Sequence, residues 1–134
     1  MSFEFPIRVY WEDTDAGGIV FYANYLKFFE RARTEWLRAL GIGQQALRAQ
    51  TGGMFVVSAT SVKYHRPAVL DDELRVTAQL LHSGRASLTI GQRVLRKTAT
   101  APELLCEGDI RIGWVSAISL KPERIPSTVL EALK

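Results

Sequence analysis

The chain holds one cysteine, Cys106, and two histidines among its 134 residues. A single thiol cannot close an intramolecular disulfide. One Cys with two His also falls short of a zinc cluster, so no metal is expected. No apolar run approaches the eighteen or so residues that a helical membrane span needs. Stretches such as Phe55-Val56-Val57 last only a few residues. The basic residues form no block of five or six: 17 Lys and Arg are scattered along the chain against 14 Asp and Glu, for a net charge of +3. That pattern argues against a nucleic-acid partner, although it suits a small phosphate-bearing one. Neither Gly-Lys-Ser nor Gly-x-Gly-x-x-Gly occurs in the glycine-bearing loop near the start, so that loop is no phosphate cradle. No repeat or low-complexity segment is present. The opening Met1-Ser2-Phe3-Glu4-Phe5-Pro6-Ile7-Arg8 lacks the basic start and apolar stretch of a secretory signal. A cytoplasmic protein is expected.

What is present is ordinary in amount and informative in order. The hydrophobic fraction is 47% and the charged fraction 23%, which excludes disorder for the bulk of the chain. The length fits one domain over residues 1–134. Residues 5–11 alternate in part and read as a first strand. Glu12-Asp13-Thr14-Asp15-Ala16-Gly17-Gly18 reads as a turn. Asn24 then stands as a helix cap. Tyr25, Phe28, Phe29, Ala32, Trp36 and Leu40 recur at helical steps, and Gly41 is a natural stop. A short helix is expected over 44–50. Alternation returns at Val56 to Tyr64, Leu74 to Leu80, Leu88 to Val94 and Leu104 to Trp114, with Ser83-Gly84-Arg85 as a hairpin turn. Cys106 falls within that alternation, as a buried thiol does. A short terminal helix is expected over 127–133. One strongly apolar helix needs a sheet to cover it, so the expected fold is α+β: a curved antiparallel sheet of about five strands around one long helix.

Chemistry concentrates in Asp13-Thr14-Asp15-Ala16-Gly17-Gly18-Ile19-Val20-Phe21-Tyr22-Ala23-Asn24-Tyr25. Two carboxylates precede two glycines and a helix start. N–H groups at a helix start are unpaired and sit at the positive end of its dipole, where they can hold an oxyanion. A carboxylate on the preceding loop can act as nucleophile or as base for water. Gly17 and Gly18 let a ligand approach the backbone. The assembly suits acyl transfer to water. Plain turn chemistry is the other reading of Asp-x-Asp here. A calcium loop fits at Asp13, Asp15 and Gly18, then fails at Gly17 and at Asn24, where a bidentate Glu is required.

This run, extended through Phe28-Phe29-Glu30-Arg31-Ala32-Arg33-Thr34-Glu35, Tyr64-His65-Arg66-Pro67-Ala68 and Leu70-Asp71-Asp72-Glu73-Leu74, resembles the hotdog-fold acyl-CoA thioesterases. The branch it resembles is the 4-hydroxybenzoyl-CoA thioesterase family, and within it the Tol-Pal-associated thioesterases. The resemblance covers nearly the whole chain. It implies a hotdog fold, homodimers or homotetramers with active sites at subunit interfaces, and an acyl-CoA substrate with no cofactor. It implies that Asp15 is the catalytic carboxylate and the Tyr22 N–H the oxyanion donor. Many Tol-Pal-associated members carry His where Tyr22 stands, so an imidazole has no role at this point.

Other residues have plainer readings. Asp13 is expected to hold the loop, and Glu30 to pair along the helix with Arg33 or Thr34. His65 is expected to be structural and His82 exposed. Lys63 and Arg85, on strand segments, are the cations expected to meet the phosphates of coenzyme A. A hydratase needs a helix histidine, and the helix has none. The remaining competitor is a non-catalytic acyl-carrier or protein-binding module of an envelope or lipid pathway.

Overall fold

The computed structural model describes residues 3–134. Five strands form one antiparallel sheet: β1 (Phe3–Arg8), β2 (Gly53–Tyr64), β3 (Glu73–Ser83), β4 (Ser87–Arg96) and β5 (Glu103–Ser116). Their spatial order is β1-β3-β4-β5-β2. Strands β3, β4 and β5 are a meander. β1 adds to one edge and β2 to the other, so the chain between them must cross the sheet. It does so as the long helix α1 (Tyr25–Ala39) followed by α2 (Gln44–Thr51), and α3 (Ser127–Ala132) closes the chain. The α+β expectation holds.

The aromatic stripe explains why α1 forms and where it lies. Tyr25, Phe28, Phe29, Ala32, Trp36 and Leu37 are all buried on one face. They meet Leu74, Val76 and Ala78 of β3, Leu88, Ile90 and Val94 of β4, and Ile110, Ile112 and Trp114 of β5 in one apolar core. Each such side chain contributes roughly 1.5–3 kcal/mol on full burial. The helix ends one residue before the expected Leu40. The Ile42 N–H bonds Leu37 O at 2.8 Å and the Gly41 N–H bonds Arg38 O at 3.0 Å. That pair of bonds is a Schellman closure, with Gly41 at φ +85°.

Gln92 and Arg33 are buried polar side chains within the core. Gln92, predicted only as one more inward position of β4, donates to Phe29 O at 3.0 Å and Thr77 O at 3.1 Å. Its Oε1 accepts from Arg33 at 3.0 Å, which ties helix to sheet. Burial pushes the Arg33 guanidinium below its usual range, against the opposing pull of Glu30.

Three expectations need correction. The first strand is not residues 5–11: β1 ends at Arg8 and Trp11–Asp13 curls into a 3-10 turn. The Asp13 carboxylate causes this by accepting the Tyr10 N–H at 2.9 Å. Asn24 makes no side-chain cap bond to α1: its backbone is already helical, at φ −68° and ψ −22°, and its NH2 donates to Asp13 at 2.9 Å. Alternation along β5 breaks at Leu105, which is buried with its neighbour Cys106. Leu105 is the extra residue where the β4 pairing shifts between Val94 and Leu95. The bulge turns its carbonyl to accept the N–H groups of both His65 and Arg66.

Candidate active site

Residues 13–21 leave the sheet and return as a tight excursion. Thr14 bridges Val20, the Asp15 N–H bonds Ile19 O at 2.9 Å, and the Phe21 N–H bonds Asp13 O at 3.1 Å. At its tip the Gly18 N–H bonds Asp15 O at 3.0 Å. Gly18 has φ +81°, a left-handed conformation that favours glycine. The excursion is pinned from outside as well. Val20 donates to Ala68 O at 2.9 Å, and Ile19 bridges Val69. Ala68 in turn donates to the Tyr25 phenol at 3.0 Å. Burial raises the Tyr25 phenol above its usual range, partly offset by that bond. Arg96 locks the same strap by donating to Asp72 at 2.8 Å and to Pro67 O at 3.3 Å.

The two carboxylates of the excursion have opposite surroundings. Asp13 is 5% exposed, and both its oxygens are spent, on Tyr10 N–H and on the Asn24 amide. Asp15 is exposed, and its Oδ1 accepts the Gly17 N–H at 2.8 Å. Its other oxygen has no partner among the described residues. A Cβ on Gly17 would stand 3.2 Å from that bonded Oδ1. Gly17 therefore leaves the carboxylate room where it is.

A single 3-10 turn, Tyr22–Asn24, leads into α1. No side chain caps it. The N–H groups of Phe21 and Asn24 are bonded, whereas those of Tyr22 and Ala23 have no acceptor among the described residues. The Tyr22 carbonyl accepts from the Tyr64 phenol at 2.8 Å. The excursion thus carries a carboxylate with a free oxygen, and the turn directly after it an unpaired N–H at a helical start.

Other candidates lie apart from this pair. Glu30 is exposed and accepts from Thr34 at 3.3 Å. His65 pairs with Glu107 at 2.8 Å, and His82 is exposed. Lys63 is near the Tyr64 end of β2 but lines a depression of about 470 Å³ on the sheet's outer face, with Arg93, Glu107 and Asp109. Arg85 sits on the β3–β4 hairpin, and its carbonyl accepts the Ile125 N–H at 2.8 Å. The excursion is tied to the opposite end of β3, about 30 Å away by strand rise. One chain alone does not bring Arg85 to Asp15.

Tyr64 and Arg96 were missed by sequence reasoning. Each reads there as one more strand residue, and only tertiary contacts give it a partner. The Asp13–Asn24 bond was missed too, although a polar residue directly before an aromatic stripe is a usable signal.

A groove of about 460 Å³ opens between α1 and β2, lined by Leu26, Glu30, Arg33, Val57 and Ile110 among others. Beside it β2 is a twelve-residue edge strand, with Val57 53% exposed. Among the described residues, no helix is long and apolar enough to cross a membrane.

Comparison with known proteins bears on this geometry. The family described as Thioesterase-like superfamily matches residues 9–133. The chain is 40% identical over 132 residues to the acyl-CoA thioester hydrolase YbgC of Escherichia coli O157:H7, covering 98% of this chain and 96% of that protein. It is 41% identical over 131 residues to the acyl-CoA thioesterase YbgC of Haemophilus influenzae, covering 98% of this chain and 93% of that one. The crystal structure of a probable thioesterase from Bartonella henselae superposes with a TM-score of 0.85 at 30% identity, covering 94% of this chain and all of that chain.

Proposed function

Because the chain belongs to the Thioesterase-like superfamily, we propose that it is an acyl-CoA thioesterase in which Asp15 and the Tyr22 N–H do the chemistry. One observation carries this reading: a carboxylate with a free oxygen on a pinned excursion is followed directly by an unpaired N–H at a helical start. The thioester carbonyl oxygen takes the Tyr22 N–H, which strengthens its bond as negative charge builds. The free Asp15 oxygen then acts in one of two ways. As nucleophile it attacks the carbonyl carbon, the C–S bond breaks, and the thiolate leaves as CoA. Water then hydrolyses the resulting anhydride. As base it takes a proton from water, whose oxygen attacks directly. Both routes give free acid and CoA, and neither calls on a cofactor or a metal. Gly17 and Gly18 leave the approach to the carboxylate unobstructed.

The working unit in this reading is at least a homodimer. A long exposed edge strand invites pairing with another strand. Two copies joined antiparallel along β2 would set the Gly53 end of one beside the Tyr64 end of the other. The Arg85 hairpin lies at the Gly53 end, because Ser87 pairs with Gly113, and Gly113 with Val56. The partner's hairpin would then approach the Asp15 end, with the α1–β2 groove between. That supports an interfacial site in which Arg85, with Lys63 in a lesser part, meets the carrier's phosphates. Pairing of two such dimers would make a homotetramer. The lone buried Cys106 thiol is in keeping with a reducing, cytoplasmic setting. The entire chain, residues 1–134, is taken as one hotdog unit.

The test is thiol release from a panel of acyl-CoAs, short aliphatic to long-chain and hydroxybenzoyl, by the native protein and Asp15→Asn. Release that falls about 10²–10⁴-fold in the variant supports the assignment. Equal turnover removes Asp15 from the mechanism. No release from any CoA ester, with release from an acylated carrier protein, would change the carrier. Binding without release from either would favour the non-catalytic module.

A further inference from the structure

Tyr64 is the last residue of β2, 42 positions from the turn it touches. Its ring is half-exposed and meets Tyr22 edge-on at 6.3 Å and Tyr25 at 5.5 Å between centroids. Its phenol donates to Tyr22 O at 2.8 Å. That carbonyl belongs to the residue whose N–H has no acceptor among the described residues. In a helical turn the N–H and C=O of one residue point in opposite senses along the axis. A donor held on the carbonyl therefore fixes the aim of the N–H. The turn has no side-chain cap to do this instead, since the apolar Phe21 stands at its N-cap position. Withdrawal of charge from the carbonyl also enlarges the turn's dipole, which points its positive end at the developing oxyanion.

We propose that Tyr64 is a positioning residue for thioester hydrolysis, its phenol holding the Tyr22 turn so that the N–H meets the transition-state oxyanion. The inference rests on the reading of Tyr22 as oxyanion donor. Tyr64 touches no reacting atom. Its effect belongs to the transition state, where the oxyanion bond is strongest, and not to substrate capture. Burial, with smaller contributions from Cys106, Tyr22 and Tyr25, raises the phenol above its usual range. It stays a donor throughout neutral and mildly alkaline pH.

The experiment compares Tyr64→Phe, Tyr64→Leu and incorporation of 3-fluorotyrosine at position 64 in the full chain, with Asp15→Asn beside them. Tyr64→Phe keeps the ring and removes one oxygen. The expected result is kcat lowered about three- to tenfold, the size of one lost hydrogen bond, with KM unchanged and the melting temperature close to native. Fluorotyrosine, which keeps the donor, should restore kcat. Native kcat in Tyr64→Phe with loss only in Tyr64→Leu would reduce Tyr64 to packing and overturn the proposal. So would a rise in KM at constant kcat, or failure of fluorotyrosine to restore turnover. Those results leave the Asp15 reading intact if Asp15→Asn is inactive. Full turnover in Asp15→Asn would overturn the reading of the site and this inference with it.

Discussion

Asp13 and Asp15 are the same residue type, two positions apart on one excursion, and their surroundings differ in nearly every respect. Asp13 is buried, with both oxygens held by Tyr10 N–H and the Asn24 amide, and its carbonyl holds Phe21. Asp15 is exposed, held through one oxygen by Gly17. A carboxylate that is buried with both oxygens hydrogen-bonded stabilises structure and is kept from a substrate carbonyl. One with a restrained position and a free oxygen can. The contrast separates scaffold from chemistry without any appeal to which residue type is the more reactive.

The largest effect expected from breaking this contrast is in turnover. Asp15→Asn should cost about 10²–10⁴ in kcat while the melting temperature stays near native, measured by thiol release and thermal unfolding. Asp13→Ala should invert that result. It leaves the buried Asn24 amide and the part-buried Tyr10 N–H without their acceptor, a loss of about 1–3 kcal/mol in unfolding free energy, read by denaturant titration. If Asp13→Ala kept native stability and lost activity alone, the two roles would have to be exchanged. A smaller loss belongs to Gly18→Ala, about 1 kcal/mol, since only the left-handed backbone is at stake and no neighbour lies within 4 Å of a Cβ there. Its turnover should fall more than its stability, because the tip positions Asp15. Smallest is the behaviour of Cys106. Burial, with Glu107 adding to it, pushes its thiol from 9.0 up to about 12. The folded protein should resist a thiol reagent at pH 8 and react once unfolded. The folded thiol gives up its proton at higher pH than the unfolded one. This contribution to stability is therefore complete below about pH 9 and is lost as pH rises from 9 through 12. Rapid labelling of the native protein at pH 8 would contradict that burial.

Much of the fold was legible residue by residue. The stripe from Tyr25 to Trp36 has one helical reading, and the alternation of β3, β4 and β5 has one strand reading, because each period must put its apolar side chains on a single face. Legibility failed where a polar side chain redirected the backbone. Residues 9–11 carry the composition of a strand, yet Asp13 curls them away from it. Leu105 spoils the alternation of β5 because a bulge has no signature in composition. In the site, the loop and its two glycines stood out by spacing. The commitments of Asn24, Tyr64 and Arg96 did not, since each depends on a partner brought near by the fold.

Local sequence thus determined that there is a helix of this face, strands of this period, and a carboxylate-bearing loop before a helical start. Those follow from short-range sterics and from the need to bury one face. Tertiary structure alone decided which carboxylate is spent and which is free, and which N–H groups of the turn are left unpaired. It also decided the sheet order, which places β2 at an edge and Arg85 at the opposite end of β3 from Asp15. Hydrogen-bond satisfaction is a property of pairs distant in the chain, so it becomes definite only when the fold brings those pairs together.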